Sequence, residues 1–466
     1  MLECLQIWQD FYSGVPMYRE IVKDLIRWKD RPNRKPLLLS GVRQCGKTYI
    51  IGEFARDHFT GYAYVNFEET EKYSAIFDYD LDVRRIVSEL EGALQIKIVP
   101  GETLLFFDEI QECPRAITSL KYFCENMGGL HVVCAGSLLG VALKREQISF
   151  PVGKVNRLRL YPMSFKEFVI ASGRSDLASL FENWPSDRVV PDLYAVPMKR
   201  LLKEYYVVGG MPEAVKVWTD SHDSEQVEEV QNEILHDYAD DFSKHAPPSE
   251  VPKIRWVWDS VPVQLAKENN KFIFSHVKEG KRSAELEDAL QWLSDAGLTT
   301  QVSLVEKPEL PLSGFADKGY FKVYMSDIGL LRAKSKISAR TVLEEDELYM
   351  RYKGAFAENY VLNELKAQGI EPYFWRSGNT AEIDFIFEND GGLVPVEVKA
   401  ADNTQAKSFR QFCKRYGPRT GFKLSGKNMA KNICEGTSAF SIPLYLAWNM
   451  LSYAGQSDTQ PSGAQS

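Results

Sequence analysis

Residues 36–48, Pro-Leu-Leu-Leu-Ser-Gly-Val-Arg-Gln-Cys-Gly-Lys-Thr, constrain this chain more than any other stretch. An apolar run stops at a glycine-bounded loop, and the loop ends in Gly-Lys-Thr before an apolar-periodic segment at 49–55. That order is strand, loop, helix, and G-x-x-x-x-G-K-[ST] is matched in full from Gly41 to Thr48. Gly41 and Gly46 admit backbone angles and close approaches that side chains forbid. Val42, Arg43, Gln44 and Cys45 supply successive N–H groups between them. With the helix N-terminus these converge on one spot suited to a polyphosphate. Lys47 is placed to reach the β- and γ-phosphates and the Thr48 hydroxyl to ligate Mg²⁺. No N-K-x-D occurs to build a guanine pocket, so ATP with Mg²⁺ is the expected ligand pair.

The length, 466 residues, leaves room for about three to four domains. Apolar residues at 44% and charged residues at 26% are ordinary for a soluble globular protein. No apolar run approaches the roughly 20 residues of a membrane helix, and the first residues lack a secretory pattern. Seven cysteines without a C-x-x-C pair read as reduced thiols. A cytoplasmic protein without a membrane partner is therefore expected. Six histidines form no metal-binding cluster. The net charge of −8 argues against non-specific coating of nucleic acid, while leaving a local basic face open.

Before the loop, Ile21, Leu25 and Trp28 share one helical face within an N-terminal segment, 1–34. An α/β core follows over 35–160. Residues 62–67 alternate as a strand, and 103–107 are apolar on both faces, as in a central parallel strand. The latter run ends in Asp108-Glu109. Asp108, at the carboxyl end of a strand expected to neighbour the loop-bearing strand, is the candidate to hold Mg²⁺. Glu109 is the candidate to deprotonate the attacking water. Residues 130–137 read as another buried strand with Ser137 at its polar tip, and 156–160 can close the sheet.

Residues 161–250 read as a helical lid, with apolar spacing at 199–207 and 225–244 and a stop at Gly209-Gly210. Residues 251–335 have the outline of a winged helix, with Leu286, Leu290 and Leu293 on one helical face, Ser283 as cap and Gly297 as terminator. Lys278, Lys281 and Arg282 precede that helix and can touch phosphates, while Glu285, Glu287 and Asp288 make it acidic. A DNA reader and a protein-packing module remain equal alternatives. Residues 453–466 are rich in Ser, Gly and Gln, and a disordered tail is expected over 449–466.

The stretches Gly-Val-Arg-Gln-Cys-Gly-Lys-Thr, Phe-Phe-Asp-Glu-Ile-Gln-Glu-Cys-Pro-Arg, Ala-Gly-Ser-Leu-Leu-Gly, residues 208–214 and residues 324–331 together resemble a family of prokaryotic AAA-type ATPases with a C-terminal domain of unassigned function. The resemblance covers roughly residues 15 to 448 and implies that Ser137 senses the γ-phosphate. Cys45 stands where the family commonly has valine and Lys154 where arginine is usual, which weakens an arginine sensor there. Arg115, Arg145 and Arg157 stay open as trans-acting arginines, and an oligomer stays open with them.

In residues 340–448, period-two alternation sends Glu397 and Lys399 to one face of a strand and Val396 and Val398 to the other. Hairpin pairing can bring Asp384 beside Glu397. With Glu358 on a preceding helix, the set resembles the PD-(D/E)xK nuclease core, a restriction-endonuclease-like α/β fold. The resemblance implies that Asp384 and Glu397 bind Mg²⁺, that Lys399 activates water and that Glu358 is a helical acid. The overall expectation is an AAA-type P-loop ATPase driving a DNA-binding or nuclease-like C-terminal half. The alternative is an ATP-dependent switch that recognises a protein or nucleic acid without cutting it.

Overall fold

The computed structural model describes residues 17–454 apart from 71, 142–149, 268–270, 379–380 and 401–406. Arg145 and most of the expected tail lie outside the described residues. Two sheets organise the chain. The first is parallel and five-stranded, in the order β2 (Gly61–Asn66), β3 (Thr103–Asp108), β4 (His131–Gly136), β1 (Leu37–Gly41), β5 (Asn156–Leu160). Every residue of β3 and β4 is buried, as apolar runs covered by helices on both sheet faces must be. β2 alternates instead, because it lies at the sheet's edge. The expected adjacency of the Asp108 strand and the loop strand is corrected here. β4 stands between them, pairing Leu39 with Ala135 on one side and Phe107 with Cys134 on the other.

The helix Ile21–Lys29 buries Ile21, Leu25 and Trp28 as its spacing predicts. Helices Phe165–Ala171, Ser175–Glu182, Asp192–Val208, Pro212–Ser221 and Ser224–His245 form the helical region. Helix Val251–Leu265, a 3-10 turn, helix Ser283–Asp295 and the antiparallel pair β6 (Thr299–Leu304) and β7 (Asp317–Met325) then follow in the expected order. Leu286, Leu290 and Leu293 are buried, and Gly297 ends the helix at φ +79°. Ser283 is the first helical residue and not the cap; Glu285 reaches back to accept the Arg282 N–H at 3.1 Å.

The second sheet has eight strands, β12-β13-β11-β10-β9-β8-β6-β7. Here β8 is Tyr373–Ser377, β9 Ala381–Asn389, β10 Gly392–Val398, β11 Thr420–Ser425, β12 Ala430–Cys434 and β13 Thr437–Pro443. The β6–β7 hairpin joins this sheet through the parallel pairing of Leu304 with Phe374. The hairpin is thus continuous with the C-terminal strands.

The two halves meet where glycines permit backbone contact. A Cβ on Gly209 would fall 2.3 Å from an Asp327 carboxylate oxygen, and one on Gly210 2.1 Å from the Met163 carbonyl oxygen. Asp327 accepts from the Gly210 N–H at 2.6 Å and caps helix Ile328–Lys334 through the Leu330 N–H at 2.8 Å. The two motifs at 208–214 and 324–331 are therefore one joint seen from its two sides.

Candidate functional site

The loop between β1 and helix Lys47–His58 is shaped by its two glycines for different reasons. Gly46 takes φ +91°, a left-handed angle. Gly41 lies so close to β5 that a Cβ would fall 2.4 Å from the Leu160 carbonyl oxygen. Lys47 is buried, and its ammonium donates to the carbonyls of Gly41 at 3.1 Å and Val42 at 3.0 Å. Its charge is thus held within the loop that would cradle phosphates. Cys45 is buried, its Sγ within 3.7 Å of the Leu160 carbonyl, so it supports the loop from beneath.

Thr48 and Asp108 converge despite the intervening strand: Thr48 Oγ1 donates to Asp108 Oδ2 at 2.6 Å. Tyr64, on β2, donates to the same oxygen at 3.2 Å. Burial pushes the Asp108 carboxyl above its ordinary value, and the Thr48 hydrogen bond pulls the other way. A hard hydroxyl and a hard carboxylate oxygen at the mouth of a phosphate loop fit Mg²⁺, with Thr48 and Asp108 as the residues to hold it. Glu109 follows at φ +47°, a left-handed angle that costs a non-glycine residue about 1–2 kcal/mol. Strain of this kind collects at functional positions. Its carboxylate accepts from Gln111 Nε2 at 2.6 Å. Ser137 is buried just past the end of β4.

Sequence reasoning missed what grips the loop from outside. Arg19 donates to the Cys45 carbonyl at 3.0 Å and the Tyr161 carbonyl at 2.6 Å, and pairs with Glu167 at 3.2 Å. Helix Ser224–His245 holds the other side. Its Asp241 pairs with Arg43 at 2.6 Å, Asp237 accepts from Gln44 at 2.7 Å, and Tyr238 donates to the Arg43 carbonyl at 3.0 Å. Nothing local in the sequence marks Asp237, Tyr238 and Asp241, which lie 193 to 198 residues from their partners in the loop. Of the arginines left open, Arg115 donates to the Phe77 carbonyl and Arg157 lies over the Phe150 ring. Lys154 pairs with Glu125 at 2.8 Å.

The C-terminal candidates are also brought together. The β9–β10 register pairs Phe385 with Val396, which sets Asp384 level with Glu397. Asp384 accepts the Val398 N–H at 2.7 Å, and Lys399 pairs with Glu397 at 3.4 Å. Burial, reinforced by the Glu358 carboxylate, pushes the Asp384 carboxyl up to about 7 against the pull of Lys322 and Lys399. Burial also raises Glu397, opposed by Lys399.

Lys322, Tyr324 and Glu382 complete this cluster and were not foreseen. Lys322 is 2% exposed on β7. Its ammonium lies 2.7 Å from Glu382 and 3.5 Å from Glu358, and Tyr324 donates to Glu358 at 3.0 Å. The available signal was a lysine inside the otherwise apolar and aromatic run 321–325. Among the described residues, no group of three or more His, Cys, Asp or Glu side chains could hold a metal ion. The cluster already contains a buried cation, Lys322, paired with Glu358 and Glu382.

Comparison with known proteins agrees with the first site. Residues 33–169 match the family described as AAA domain. That portion of the chain carries the phosphate loop and is similar to an AAA domain. Residues 199–341 and 353–445 match two families, each described as a domain of unknown function. No curated protein matches the sequence. Similar solved structures include the Walker-type ATPase PABY2304 of Pyrococcus abyssi, at 14% identity and a TM-score of 0.44, covering 69% of this chain and 96% of that one. The Aeropyrum pernix ORC2 protein in its ADPNP-ADP complexes is 13% identical over 72% of this chain and 95% of that one, with a TM-score of 0.35. The Aeropyrum pernix ORC1 protein in complex with DNA is 16% identical over 73% and 96%, with a TM-score of 0.31. Among the described residues, no helix is long and apolar enough to cross a membrane.

Proposed function

We propose that this chain binds Mg-ATP at residues 41–48, hydrolyses it, and uses the cycle to reposition a C-terminal half that recognises a protein without cutting nucleic acid. The observation that carries the first part is the 2.6 Å contact between Thr48 and Asp108, which joins the phosphate loop to the strand-end carboxylate. Bound there, Mg²⁺ would neutralise charge on the β- and γ-phosphates. Lys47 would turn from the loop carbonyls to the phosphates. Glu109 would take a proton from water as the water oxygen bonds to the γ-phosphorus. The bond from that phosphorus to the β–γ bridging oxygen breaks, its electron pair leaving with ADP. Arg43 and Gln44, paired with Asp241 and Asp237, would carry a change at the loop to helix Ser224–His245.

The non-cutting reading of the C-terminal half rests on Lys322, whose ammonium occupies the carboxylate cluster. Protein recognition is favoured over DNA by the helix Ser283–Asp295, whose Glu285, Glu287 and Asp288 are exposed. Two of the cations ahead of it are already engaged, Lys281 with Glu285 at 3.4 Å and Lys278 over the Trp256 ring. The experiment is phosphate release from ATP, run beside a metal-dependent digest of plasmid, linear and single-stranded DNA with and without ATP. Phosphate release without digestion is expected. Digestion that depends on Asp384 would restore the nuclease reading, and absence of phosphate release would remove the ATPase one.

A further inference from the structure

We propose that Gln111 is a positioning residue that ties the Glu109 carboxylate to the tip of β4. The inference rests on the reading of Glu109 as the base for ATP hydrolysis. Directly after Glu109, residues 110–112 form one 3-10 turn, closed by the Glu112 N–H on the Glu109 carbonyl at 3.0 Å. The turn swings Gln111 back over Glu109, and Nε2 donates to Glu109 Oε2 at 2.6 Å. A carboxylate only accepts, so the amide nitrogen must be the end that faces it. The amide is neutral. It fixes one carboxylate oxygen without adding a charge, and leaves the other oxygen to receive the proton.

The far end of the same amide explains a glycine. Gln111 Oε1 is buried without a hydrogen-bond partner, and a Cβ on Gly136 would fall 2.3 Å from it. Gly136 is the last residue of β4, and Ser137 follows it. The missing side chain at 136 is therefore the space that the Gln111 amide fills. A side chain that merely packed there would need neither a donor aimed at Glu109 nor a bare backbone at the strand tip. Gln111 is 8% exposed, and its Oε1 is shut off from water.

The test compares Gln111→Leu, Gln111→Glu and Gly136→Ala with wild type in the full chain, measuring Mg-ATP affinity, kcat, KM and thermal unfolding. Gln111→Leu is expected to lower kcat by about 10- to 100-fold, the scale of a misplaced catalytic group, with ATP affinity unchanged. Gly136→Ala should lower kcat as well, because its methyl displaces the amide while Gln111 and Glu109 both remain. Gln111→Glu keeps the shape but puts an acceptor where the donor stood, so kcat should fall while KM and Mg-ATP affinity stay at their wild-type values. Wild-type kcat in Gln111→Leu would overturn the proposal. So would a fallen kcat in Gln111→Leu with wild-type kcat in Gln111→Glu, since that pattern belongs to packing alone. If Gln111→Leu does not fold, Gly136→Ala and Gln111→Glu decide the matter. Glu109→Gln separates this proposal from the reading beneath it: activity lost in Glu109→Gln but kept in Gln111→Leu removes only the proposal.

Discussion

The phosphate loop and the C-terminal carboxylate cluster are both charged, largely buried sites, and they are built by opposite means. The loop draws its groups from eight consecutive residues, and its geometry is backbone geometry set by Gly41 and Gly46. The cluster draws side chains from helix Glu347–Ala367, from strands β7, β9 and β10 and from Lys399 just past β10, elements far apart in sequence. The loop's cation, Lys47, rests on neutral carbonyls that it can leave without stranding a charge. The cluster's cation, Lys322, rests on carboxylates that cannot lose it cheaply. A site whose charge is held by neutral groups is ready for an anionic ligand. A site whose buried cation is already held by carboxylates is built to stay as it is.

The sharpest way to break this comparison is to remove each cation. Lys47→Ala deletes the side-chain ammonium of the phosphate cradle, and Mg-ATP binding should be lost. A fluorescent ATP analogue, titrated at equilibrium, checks it; unchanged affinity would sink the assignment. Lys322→Met should leave nucleotide binding intact and instead lower folding stability by about 3–5 kcal/mol, the usual cost of stripping a buried ion pair of one partner. Denaturant unfolding of the two proteins measures that loss, and equal midpoints would mean the ammonium is dispensable.

The two sites also differ in how far they could be read from sequence. The loop was legible because each residue's role follows from its neighbours, and Asp108-Glu109 was legible because an all-apolar strand ended there. The position of β4 between β1 and β3 was not, since strand order depends on packing that no local pattern states. At the C-terminus, period-two alternation and hairpin pairing placed Asp384 beside Glu397. Lys322 escaped because its hairpin β6–β7 reads as part of a separate unit, and the pairing of Leu304 with Phe374 carries it into the same sheet; the place of Glu382 follows from Lys322 beside it. Arg43 and Gln44 were read as parts of the cradle. Their partners Asp241 and Asp237 became visible only when helix Ser224–His245 was folded against it.

A smaller effect separates chemistry from binding within the first site. Glu109→Gln preserves size and hydrogen bonding but cannot accept the proton. Hydrolysis should fall by about 10²-fold or more, the scale of a lost general base, while ATP affinity holds. Phosphate-release kinetics beside the binding titration decide it. Hydrolysis at the wild-type rate would move the catalytic carboxylate elsewhere.

The smallest expected effect tests the second site's independence of metal. Asp384 has a folded-state carboxyl value of about 7, raised by burial and by Glu358 from an ordinary 3.8. The folded state therefore keeps a proton that the unfolded chain releases. Stability from this group is greatest at low pH and declines as pH rises from about 4 toward 7, after which the loss is complete. Asp384→Asn keeps an oxygen for the Val398 N–H while removing the charge beside Glu358. At pH 8 it should hold stability or raise it by about 1 kcal/mol, what one unit of relieved carboxyl shift amounts to. The pH dependence over that window should flatten with it. Because Lys322 supplies the cation, Mn²⁺ and chelator should give the same unfolding curve in wild type and variant alike, measured without nucleotide so that the phosphate loop contributes no metal response. Were two carboxylates waiting for a metal, Mn²⁺ would stabilise the wild type by mass action and the variant much less. That pattern would return Asp384 and Glu397 to the role of metal ligands and make the two sites alike after all.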